Sequence, residues 1–264
     1  MTPLVFAVVG DPVAHSKSPA MHAAAYRALG LPHRYEAVRV QAGELAAVVQ
    51  ALREGRYAGV NVTVPLKREA LTLADEVDDS ARRVGAANTL VRTAGGRVVA
   101  HNTDAPALVE ELKALTGRRD LRGELAVVVG SGGAAQAARV ALEELGATVE
   151  VRSRSKGNLA GDAAVEARAA AVVQATSAGM TGADPGDSVA AAIAWSSLPS
   201  TAVALDVVYA PPETPFLRAA RARGLRSASG LGMLARQGAL AFRLWTGLPA
   251  PYDAMRAALV AQPD

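Results

Sequence analysis

The stretch LAVVVGSGGAA, residues 125–135, indicates the fold class of this 264-residue chain. Leu125–Val129 is uninterruptedly apolar, as expected of a strand buried on both faces of a parallel sheet. The following residues fit the pattern G-x-G-x-x-A, in which Gly130 permits a tight turn, Gly132 lets the backbone approach a pyrophosphate, and Ala135 permits close helix–strand packing. The N-terminus of the helix that follows offers N–H groups to phosphates. The stretch predicts a dinucleotide-binding βαβ unit, and the alternative is a purely structural glycine turn.

The end of the next predicted strand, 148–151, indicates which dinucleotide is bound. An NAD site usually places Asp or Glu there, about 20 residues after the glycines, on the ribose hydroxyls. Here Glu150 lies inside the strand by alternation, and the tip reads Ser153-Arg154-Ser155-Lys156. The Arg154 guanidinium is a planar fork suited to a 2′-phosphate, and its neighbours add donors. We therefore predict NADP(H) rather than NAD(H), and the alternative is a solvated basic loop.

The composition limits the chemistry that this chain can carry. It contains no cysteine, which excludes disulfides, thiolate metal sites and a thiol nucleophile. The 28 basic and 25 acidic residues leave a net charge of +3, which gives little reason to expect a nucleic-acid partner. We expect no metal either, because no two of the four histidines stand at HExxH-like spacing.

The N-terminal segment does not have the pattern of a secretory signal. It reads MTPLVFAVVG, without a basic region, and Asp11 follows its short apolar run at once. No stretch of the chain reaches the ~18–20 uninterrupted apolar residues of a membrane span. We therefore expect a cytoplasmic protein with no membrane partner.

Strand-like and helix-like runs alternate over most of the chain, which predicts an α/β protein with parallel βαβ units. We predict two domains with the active site in the cleft between them. The first is an N-terminal α/β domain, 1–104, on which helices from 235–264 pack back, and the second is a C-terminal Rossmann-type NADP-binding domain, 105–234. The predicted strands are 4–9, 35–40, 58–64, 125–129, 148–151, 171–174 and 203–207, with a hairpin of 89–91 and 97–100. The predicted helices are 19–29, 43–53, 67–73, 105–115, 134–145, 234–244 and 252–261.

Four polar clusters stand at the ends of apolar runs in the first half of the chain. They are HSKSP (15–19), NVTVPLK (61–67), NT (88–89) and NTD (102–104). Polar groups at strand ends converge on one crevice of an open α/β sheet. Hydroxyls and amides bind hydroxyls and a carboxylate, while the amine of Lys67 and the carboxylate of Asp104 can move a proton. These clusters predict a site for a small polyhydroxylated acid. The alternative is that Ser16 and Ser18 only cap a helix and Asn88 only shapes a turn.

Eight motifs, in order from about residue 8 to residue 248, together resemble shikimate dehydrogenase, the NADP-dependent enzyme family of aromatic amino-acid biosynthesis. They are HSKSP (15–19), NVTVPLK (61–67), GAANTL (85–90), HNTDA (101–105), GSGGAA (130–135), ATSAGM (175–180), DVVYAPPETPFL (206–217) and GLGMLARQGALAFRLWTG (230–247). The resemblance implies reversible reduction of 3-dehydroshikimate to shikimate with NADPH, on the route to chorismate, with 1–104 as the substrate-binding and catalytic domain. Two departures are Ser153-Arg154-Ser155 in place of Asn-Arg-Thr, and Gln174 in place of Asn.

The resemblance also implies a role for each matching residue. Lys67 is expected to carry the proton, with Asp104 orienting it or sharing the proton. The substrate-binding residues are expected to be this pair together with Ser16, Ser18, Asn61, Thr63, Asn88, Tyr209 and Gln237. The cofactor-binding residues are expected to be Gly130, Ser131, Gly132, Gly133, Ala134, Ser153, Arg154, Ser155, Lys156, Val207, Gly230 and Met233.

Several alternatives stay open at the level of the sequence. One is a quinate/shikimate dehydrogenase with NAD or dual cofactor specificity, against which Arg154 argues only in part. Another is a non-catalytic metabolite-sensing paralogue, against which the intact Lys67 and Asp104 argue. A third is another two-domain NADP dehydrogenase, such as one of the folate pathway. The expected partner is a small-molecule substrate, and the chain is expected to be a monomer or a homodimer.

Overall fold

A computed structural model describes residues 2–260, which fold into two units. The first comprises residues 2–107 and 234–260, and the second comprises residues 108–233. The strands are β1 Val5–Gly10, β2 Arg34–Arg39, β3 Gly59–Val62, β4 Glu76–Val77, β5 Thr89–Arg92, β6 Val98–His101, β7 Leu125–Val129, β8 Thr148–Arg152, β9 Ala169–Gln174, β10 Val203–Asp206 and β11 Arg226–Ala228.

The α-helices alternate with these strands for most of the chain. They are α1 Ser18–Ala28, α2 Leu45–Arg53, α3 Lys67–Leu73, α4 Asp79–Val84, α5 Asp104–Thr116, α6 Gly133–Glu144, α7 Ala163–Glu166, α8 Asp187–Ala191, α9 Pro215–Ala222, α10 Leu231–Thr246 and α11 Tyr252–Val260. The division between the two units falls within α5 and within α10. No helix among residues 2–260 is long and apolar enough to cross a membrane.

The first unit, over its described residues, is built on a six-stranded mixed sheet in the order β2-β1-β3-β5-β6-β4. β1 runs parallel to β2 and β3, whereas β5 runs antiparallel to both β3 and β6. The start of β5 therefore lies at the same sheet edge as the carboxyl ends of β3 and β6. This reversal brings Asn88 beside the segments that carry Lys67 and Asp104.

The C-terminal helices complete the first unit. α11 packs against α1, and the Trp245 indole in α10 donates to the carbonyl of Leu90 at 3.1 Å. The same indole lies over Gly59, where a Cβ would overlap it, so β3 needs a glycine at that position. Trp245 belongs to an aromatic cluster whose other members are Phe6, His22, Tyr26, His33, Tyr35 and Phe242.

Residues 108–233 form a five-stranded parallel sheet in the order β11-β10-β9-β7-β8. Within this unit the strands thus run 2-1-3-4-5 in order of occurrence, a doubly wound arrangement. The direction of winding reverses between β7 and β9, and ligands of open α/β sheets bind outside the carboxyl ends of the strands at such a point. β7 and β9 are almost fully buried, which agrees with their apolar sequences.

Most predicted elements are present, with ends shifted by a few residues. The predicted helix 67–73 and strand 125–129 have the observed bounds. The last predicted helix ends at residue 261, which lies outside the described residues, as do residues 262–264 of the predicted C-terminal segment. The sequence pattern does not predict β4, β11, α4, α7, α8 and α9. The two strands and three of the helices among these are six residues or shorter, too short for a clear hydrophobic period.

Candidate active site

The centre of the site is an ion pair between two largely buried side chains. Lys67 is the first residue of α3, and Asp104 is the first residue of α5. The Lys67 Nζ lies 2.6 Å from Asp104 Oδ2. The lysine side chain is 15% exposed and that of the aspartate 5%, so one edge of the pair is open to a ligand. Because water is mostly excluded, this contact is screened less than a surface ion pair.

Asn102 fixes the position of Asp104 at the start of α5. Its side-chain oxygen accepts from the backbone N–H groups of Asp104 at 3.0 Å and Ala105 at 3.1 Å. Its amide nitrogen donates to the carbonyl of Ala86 at 2.9 Å. Asn102 stands two residues before the first residue of α5, and it satisfies two N–H groups that have no partner within the helix. These bonds stabilise the start of the helix and place the carboxylate at the same time.

Asn88 occupies the other side of the Asp104 carboxylate. Its Nδ2 donates to Asp104 Oδ1 at 2.8 Å and lies 3.5 Å from Gln237 Oε1. The two carboxylate oxygens are thus each bound by a different donor, one cationic and one neutral. Four of the predicted site residues, Lys67, Asn88, Asp104 and Gln237, are brought together in the first unit, although Gln237 is 149 positions from Asn88.

The two predicted substrate serines lie next to each other before and at the start of α1. Ser16 is partly exposed and its Oγ accepts from the backbone N–H of Ser18 at 3.3 Å. The alternative prediction that Ser18 caps this helix is wrong, because Ser18 is the first helical residue and Lys17 takes the capping position. Thr63 follows β3 directly, is partly exposed, and packs its methyl group close to Gly10.

Asn61 lies within β3 and is 5% exposed. Its Oδ1 accepts from the Tyr35 hydroxyl at 2.8 Å. Its Nδ2 donates to the Asn88 carbonyl at 3.1 Å and to Thr89 Oγ1 at 3.0 Å. Both amide hydrogens are therefore used inside the protein, and the expected contact of Asn61 with substrate stays a prediction.

The glycine loop between β7 and α6 has the features that its sequence predicts. Gly130 has φ +139°, and a Cβ there would come within 2.7 Å of the Ala175 carbonyl oxygen, so a glycine is required. Gly132 stands at the N-cap of α6 with φ −80°, and no described atom lies within 4 Å of where its Cβ would be. Ala135 is fully buried against the strand. We call the open space beside Gly132 and the first N–H groups of α6 the cradle, and its binding of a phosphate stays a prediction.

The predicted phosphate-binding loop follows β8 and forms a 3₁₀ turn at Arg154–Lys156. Ser153 caps this turn, and Ser155 Oγ lies 3.2 Å from Ser131 Oγ in the glycine loop. The structure therefore brings the two predicted cofactor segments together. Arg154 is exposed and pairs with Asp184 at 3.2 Å, and Lys156 is also exposed.

Glu150 is held away from a ribose-binding role by the neighbouring arginine. Arg152 Nε lies 2.5 Å from Glu150 Oε1, and the same guanidinium binds Glu166 at 2.6 and 3.2 Å. Arg152 and Glu166 are almost fully buried. The acidic residue of β8 is thus used in an internal network, which agrees with the prediction that the tip of the strand decides the cofactor.

Four more predicted residues lie after β10 and at the start of α10. A Cβ on Gly230 would overlap the carbonyl of Val207, so these two predicted residues are in direct contact. Met233 is 7% exposed, and Tyr209 is partly exposed. All four belong to the second unit.

A buried carboxylate in the second unit, Asp206 at the end of β10, is absent from the sequence-based predictions. It accepts hydrogen bonds from the Thr214 hydroxyl at 2.6 Å, the Val208 N–H at 2.9 Å and Gln174 Nε2 at 3.2 Å. Burial raises its pKa to about 6, although the Thr214 and Val208 bonds favour the ionised form. The signal that could have found it is the charge that ends an otherwise apolar strand, Val203-Ala204-Leu205-Asp206.

No group of three or more metal-ligating side chains occurs among residues 2–260. The donor set of the site consists instead of one amine, one carboxylate, amides and hydroxyls. Such a set binds a polar organic molecule through hydrogen bonds and can exchange a proton with it.

The chain is similar in sequence to known proteins over most of its length. The family model of the shikimate dehydrogenase substrate binding domain matches residues 8–90, and that of the shikimate 5′-dehydrogenase C-terminal domain matches residues 230–260. A curated shikimate dehydrogenase (NADP(+)) of Thermus thermophilus is 44% identical over 255 residues, which cover 93% of each chain. This chain belongs to the shikimate dehydrogenase family.

Solved structures with the same fold cover nearly all of this chain. That of a Thermus thermophilus enzyme, in complex with NADP(H) and shikimate, has a TM-score of 0.85 and 42% identity, and covers 97% of this chain and 98% of that one. A quinate dehydrogenase from Corynebacterium glutamicum, in complex with NAD, has the same TM-score, 31% identity and coverage of 99% and 100%. The same fold therefore also occurs in a quinate dehydrogenase that binds NAD.

Proposed function

We propose that this chain catalyses the reversible, NADPH-dependent reduction of 3-dehydroshikimate to shikimate. The observation that carries the proposal is the partly open Lys67–Asp104 ion pair with Asn88 on the second carboxylate oxygen. The Lys67 amine is held by the Asp104 carboxylate and is still partly accessible, and such an amine is suited to proton transfer. The family membership supports the choice of substrate and cofactor, and the two cations and two serines of the loop after β8 suit a 2′-phosphate.

The proton is handled by Lys67 in this proposal. Reduction of a ketone builds negative charge on its oxygen, and the Lys67 ammonium stabilises that charge and donates a proton to it. In the reverse direction the free amine accepts the proton from the hydroxyl. Asp104 holds the lysine in place, and Asn88 keeps the Asp104 carboxylate oriented.

The residues of the second unit fit NADP(H). The cradle at Gly132 would take the pyrophosphate, with Gly130, Ser131, Gly133 and Ala134 forming the rest of the loop. Ser153, Arg154, Ser155 and Lys156 would hold the 2′-phosphate, since they offer two cations and two hydroxyls. Val207, Gly230 and Met233 would surround the nicotinamide. When bound, NADPH supplies the hydride.

The remaining polar residues would bind the substrate. Ser16, Ser18 and Tyr209 are proposed to hold its carboxylate, since hydroxyls can donate to both of its oxygens. Thr63 and Gln237, with Asn88, are proposed to bind the ring hydroxyls. In this proposal, residues 1–104 with the C-terminal helices are the substrate-binding and catalytic domain, and residues 105–234 are the cofactor domain. We further propose a cytoplasmic monomer or homodimer.

A four-way assay tests the proposal against its alternatives. The purified chain is given NADPH or NADH, each with 3-dehydroshikimate or 3-dehydroquinate, and nucleotide oxidation is followed by the loss of its near-ultraviolet absorbance. We expect oxidation with NADPH and 3-dehydroshikimate alone. Oxidation with NADH or with 3-dehydroquinate at a similar kcat/KM would instead indicate the quinate/shikimate alternative. No turnover in any pair would indicate a metabolite-sensing protein.

A further inference from the structure

We infer that Thr89 is a positioning residue for the Lys67–Asp104 pair, acting through the side chain of Asn88. This inference rests on the proposed function for its kinetic test. Thr89 is 0% exposed and is the first residue of β5, so it cannot itself touch a substrate. Its effect on the reaction must pass through the side chains that it contacts.

Thr89 lies in the middle of a chain of hydrogen bonds that runs in one direction to Asp104. The Tyr35 hydroxyl donates to Asn61 Oδ1 at 2.8 Å, and Asn61 Nδ2 donates to Thr89 Oγ1 at 3.0 Å. Thr89 Oγ1 donates to Asn88 Oδ1 at 3.1 Å, and Asn88 Nδ2 donates to Asp104 Oδ1 at 2.8 Å. We call this series the Tyr35–Asp104 chain. Asn61, Thr89 and Asn88 each accept on one side and donate on the other, so each bond strengthens the next.

The strand register produces this contact. Asn61 and Thr89 are cross-strand partners of the antiparallel β3 and β5, so their side chains lie on the same face. Asn61 uses both amide hydrogens, on Thr89 and on the Asn88 carbonyl. The role of Asn61 in this arrangement is to hold Thr89 and the backbone at Asn88.

Thr89 helps to decide which end of the Asn88 amide faces Asp104. The backbone N–H of Thr103 can only donate, and it lies 2.7 Å from Asn88 Oδ1. The Thr89 hydroxyl accepts from Asn61 and so has its proton available for the same oxygen. With the amide in this orientation, Nδ2 points at the carboxylate. In the reverse orientation two oxygens would face each other, and Asp104 would lose its neutral donor.

The hydroxyl of Thr103 does not favour either orientation of the Asn88 amide. It lies 2.9 Å from Asn88 Nδ2 and 3.2 Å from Asn88 Oδ1, so it can serve either orientation. Gln237 Oε1 also faces Nδ2, at 3.5 Å, but Gln237 is a proposed substrate residue. Thr89 can be changed without removing a proposed substrate or catalytic residue. The backbone N–H of Thr103 stays in every variant.

The test compares Thr89→Val, which has nearly the same shape without the hydroxyl, with Thr89→Ser, which keeps the hydroxyl. We expect Thr89→Val to lower kcat about tenfold, in line with the loss of a hydrogen bond to a charged group. The KM for shikimate should change much less, because the buried Thr89 does not touch the substrate. Thr89→Ser should restore kcat.

Two further variants separate positioning from general damage to the fold. Tyr35→Phe removes the first donor of the Tyr35–Asp104 chain and keeps the ring that stacks on His22 at 4.2 Å, so a smaller loss of kcat is expected. Thr116→Val removes a buried hydroxyl that donates to the Leu112 carbonyl outside this chain, so kcat and KM should stay unchanged. The inference is overturned if Thr89→Val keeps the wild-type kcat, or if Thr89→Ser falls as far as Thr89→Val.

A neutron crystal structure of each variant, in which the deuterons of the Asn88 amide are visible, keeps this test independent of the proposed function. If the wild type fails to turn over 3-dehydroshikimate, the proposed function fails, while the Asn88–Asp104 contact can still be measured. We expect Nδ2 of Asn88 to stay within about 3.2 Å of Asp104 Oδ1 in Thr89→Ser, as hydrogen-bond geometry requires, and to leave it in Thr89→Val. An unchanged contact in Thr89→Val would overturn the inference.

Discussion

Lys67 is one of four lysines in a chain that carries 24 arginines, and the difference between the two side chains has a chemical meaning at this position. A guanidinium stays protonated at any working pH, whereas an amine can give up its proton and take it back. Lys113, in contrast, makes a surface ion pair with Glu110 at 2.9 Å, where either cation would serve. The two lysines therefore form a matched pair for a Lys-to-Arg comparison.

We expect Lys67→Arg to keep the charge beside Asp104 and to lose about 10²–10⁴-fold in kcat, the usual contribution of general acid–base catalysis. The KM for shikimate should change much less, because the positive charge is kept. Steady-state kinetics in both directions, with Lys113→Arg as the control, measure the effect. A Lys67→Arg enzyme with near-normal turnover would remove Lys67 from proton transfer.

Arg154 is the residue expected to choose between the two dinucleotides. Its side chain is 65% exposed and pairs with Asp184. Because it is not part of a hydrophobic core, it can be truncated without leaving a cavity. We expect Arg154→Ala to raise the KM for NADPH by roughly 10–100-fold, the equivalent of lost charge-assisted hydrogen bonds, and to leave the KM for NADH unchanged. Initial-rate measurements with both nucleotides test this.

The control for Arg154→Ala is Arg56→Ala, which truncates an equally exposed, ion-paired arginine in the first unit. It should change neither KM. A parallel rise for NADPH and NADH in Arg154→Ala would mean that the loop binds a part shared by the two cofactors. The assignment of Arg154 to the 2′-phosphate would then be wrong.

The glycine loop between β7 and α6 contains two glycines that are needed for different reasons. Gly130 is needed by the fold, because φ +139° and the nearby Ala175 carbonyl exclude a side chain. Gly132 has φ −80° and open space at its Cβ position, so the folded chain alone would accept an alanine there. A glycine at position 132 is consistent with the proposed phosphate cradle, in which a methyl group would meet the ligand.

We expect Gly132→Ala to leave the free energy of unfolding within about 0.5 kcal/mol of wild type, the usual range for a harmless surface change. Its KM for NADPH should rise at least several-fold. Gly130→Ala should lose about 1–3 kcal/mol of stability through backbone strain. Urea denaturation and NADPH titration of both variants measure this. Unaltered NADPH binding in Gly132→Ala would contradict the proposed cradle.

Elements with a clear hydrophobic period can be predicted from the sequence, and short ones cannot. The strand Leu125–Val129 and the helix Lys67–Leu73 are predicted with their observed bounds, because each is delimited by strong signals such as Gly130 and Pro65. β4 has two residues and α4 has six. Tertiary contacts rather than local preference stabilise such elements, and these contacts cannot be read from a single sequence.

The site can be predicted through motifs, whereas its internal connections cannot. Lys67, Asn88 and Asp104 are predicted as site residues, and the structure brings them together. The roles of Thr89 and Tyr35 depend on the register of β5 against β3. Register is set by the whole sheet, and a shift of one residue would turn every side chain to the other face. No local pattern in the sequence contains that information.

The two units of the molecule contain buried groups whose titrations act in opposite directions. In the first unit burial lowers the pKa of His22 to about 3, and both of its ring nitrogens lack partners among the described residues. In the unfolded chain it takes up a proton near its ordinary value of 6.5. The unfolded chain therefore binds more protons below that pH, and the stability of this unit falls as the pH falls from 6.5 towards 3.

Asp206 gives the second unit the opposite dependence. Its pKa is raised by burial to about 6 from an ordinary value of 3.8. Between these values the folded chain holds a proton that the unfolded chain has lost. The stabilisation is thus complete below pH 3.8 and is lost as the pH rises through 6. Acidification from about pH 7 to about pH 5 should strengthen the second unit while it weakens the first.

Amide hydrogen exchange followed by mass spectrometry can measure the two units separately. After correction for intrinsic exchange, we expect the opening free energy of β1 to fall by about 2 kcal/mol between about pH 7 and about pH 5, and that of β10 to rise by about 1 kcal/mol. His22→Phe, which keeps a ring against Tyr35, should remove most of the first change, the rest coming from His33, whose pKa burial also lowers. Asp206→Asn should abolish the second change alone. Because each variant is compared with itself at two pH values, any packing cost cancels. If the protection of β1 in the wild type did not change with pH, this prediction would be wrong. His22 would then not be a neutral side chain buried in the aromatic cluster.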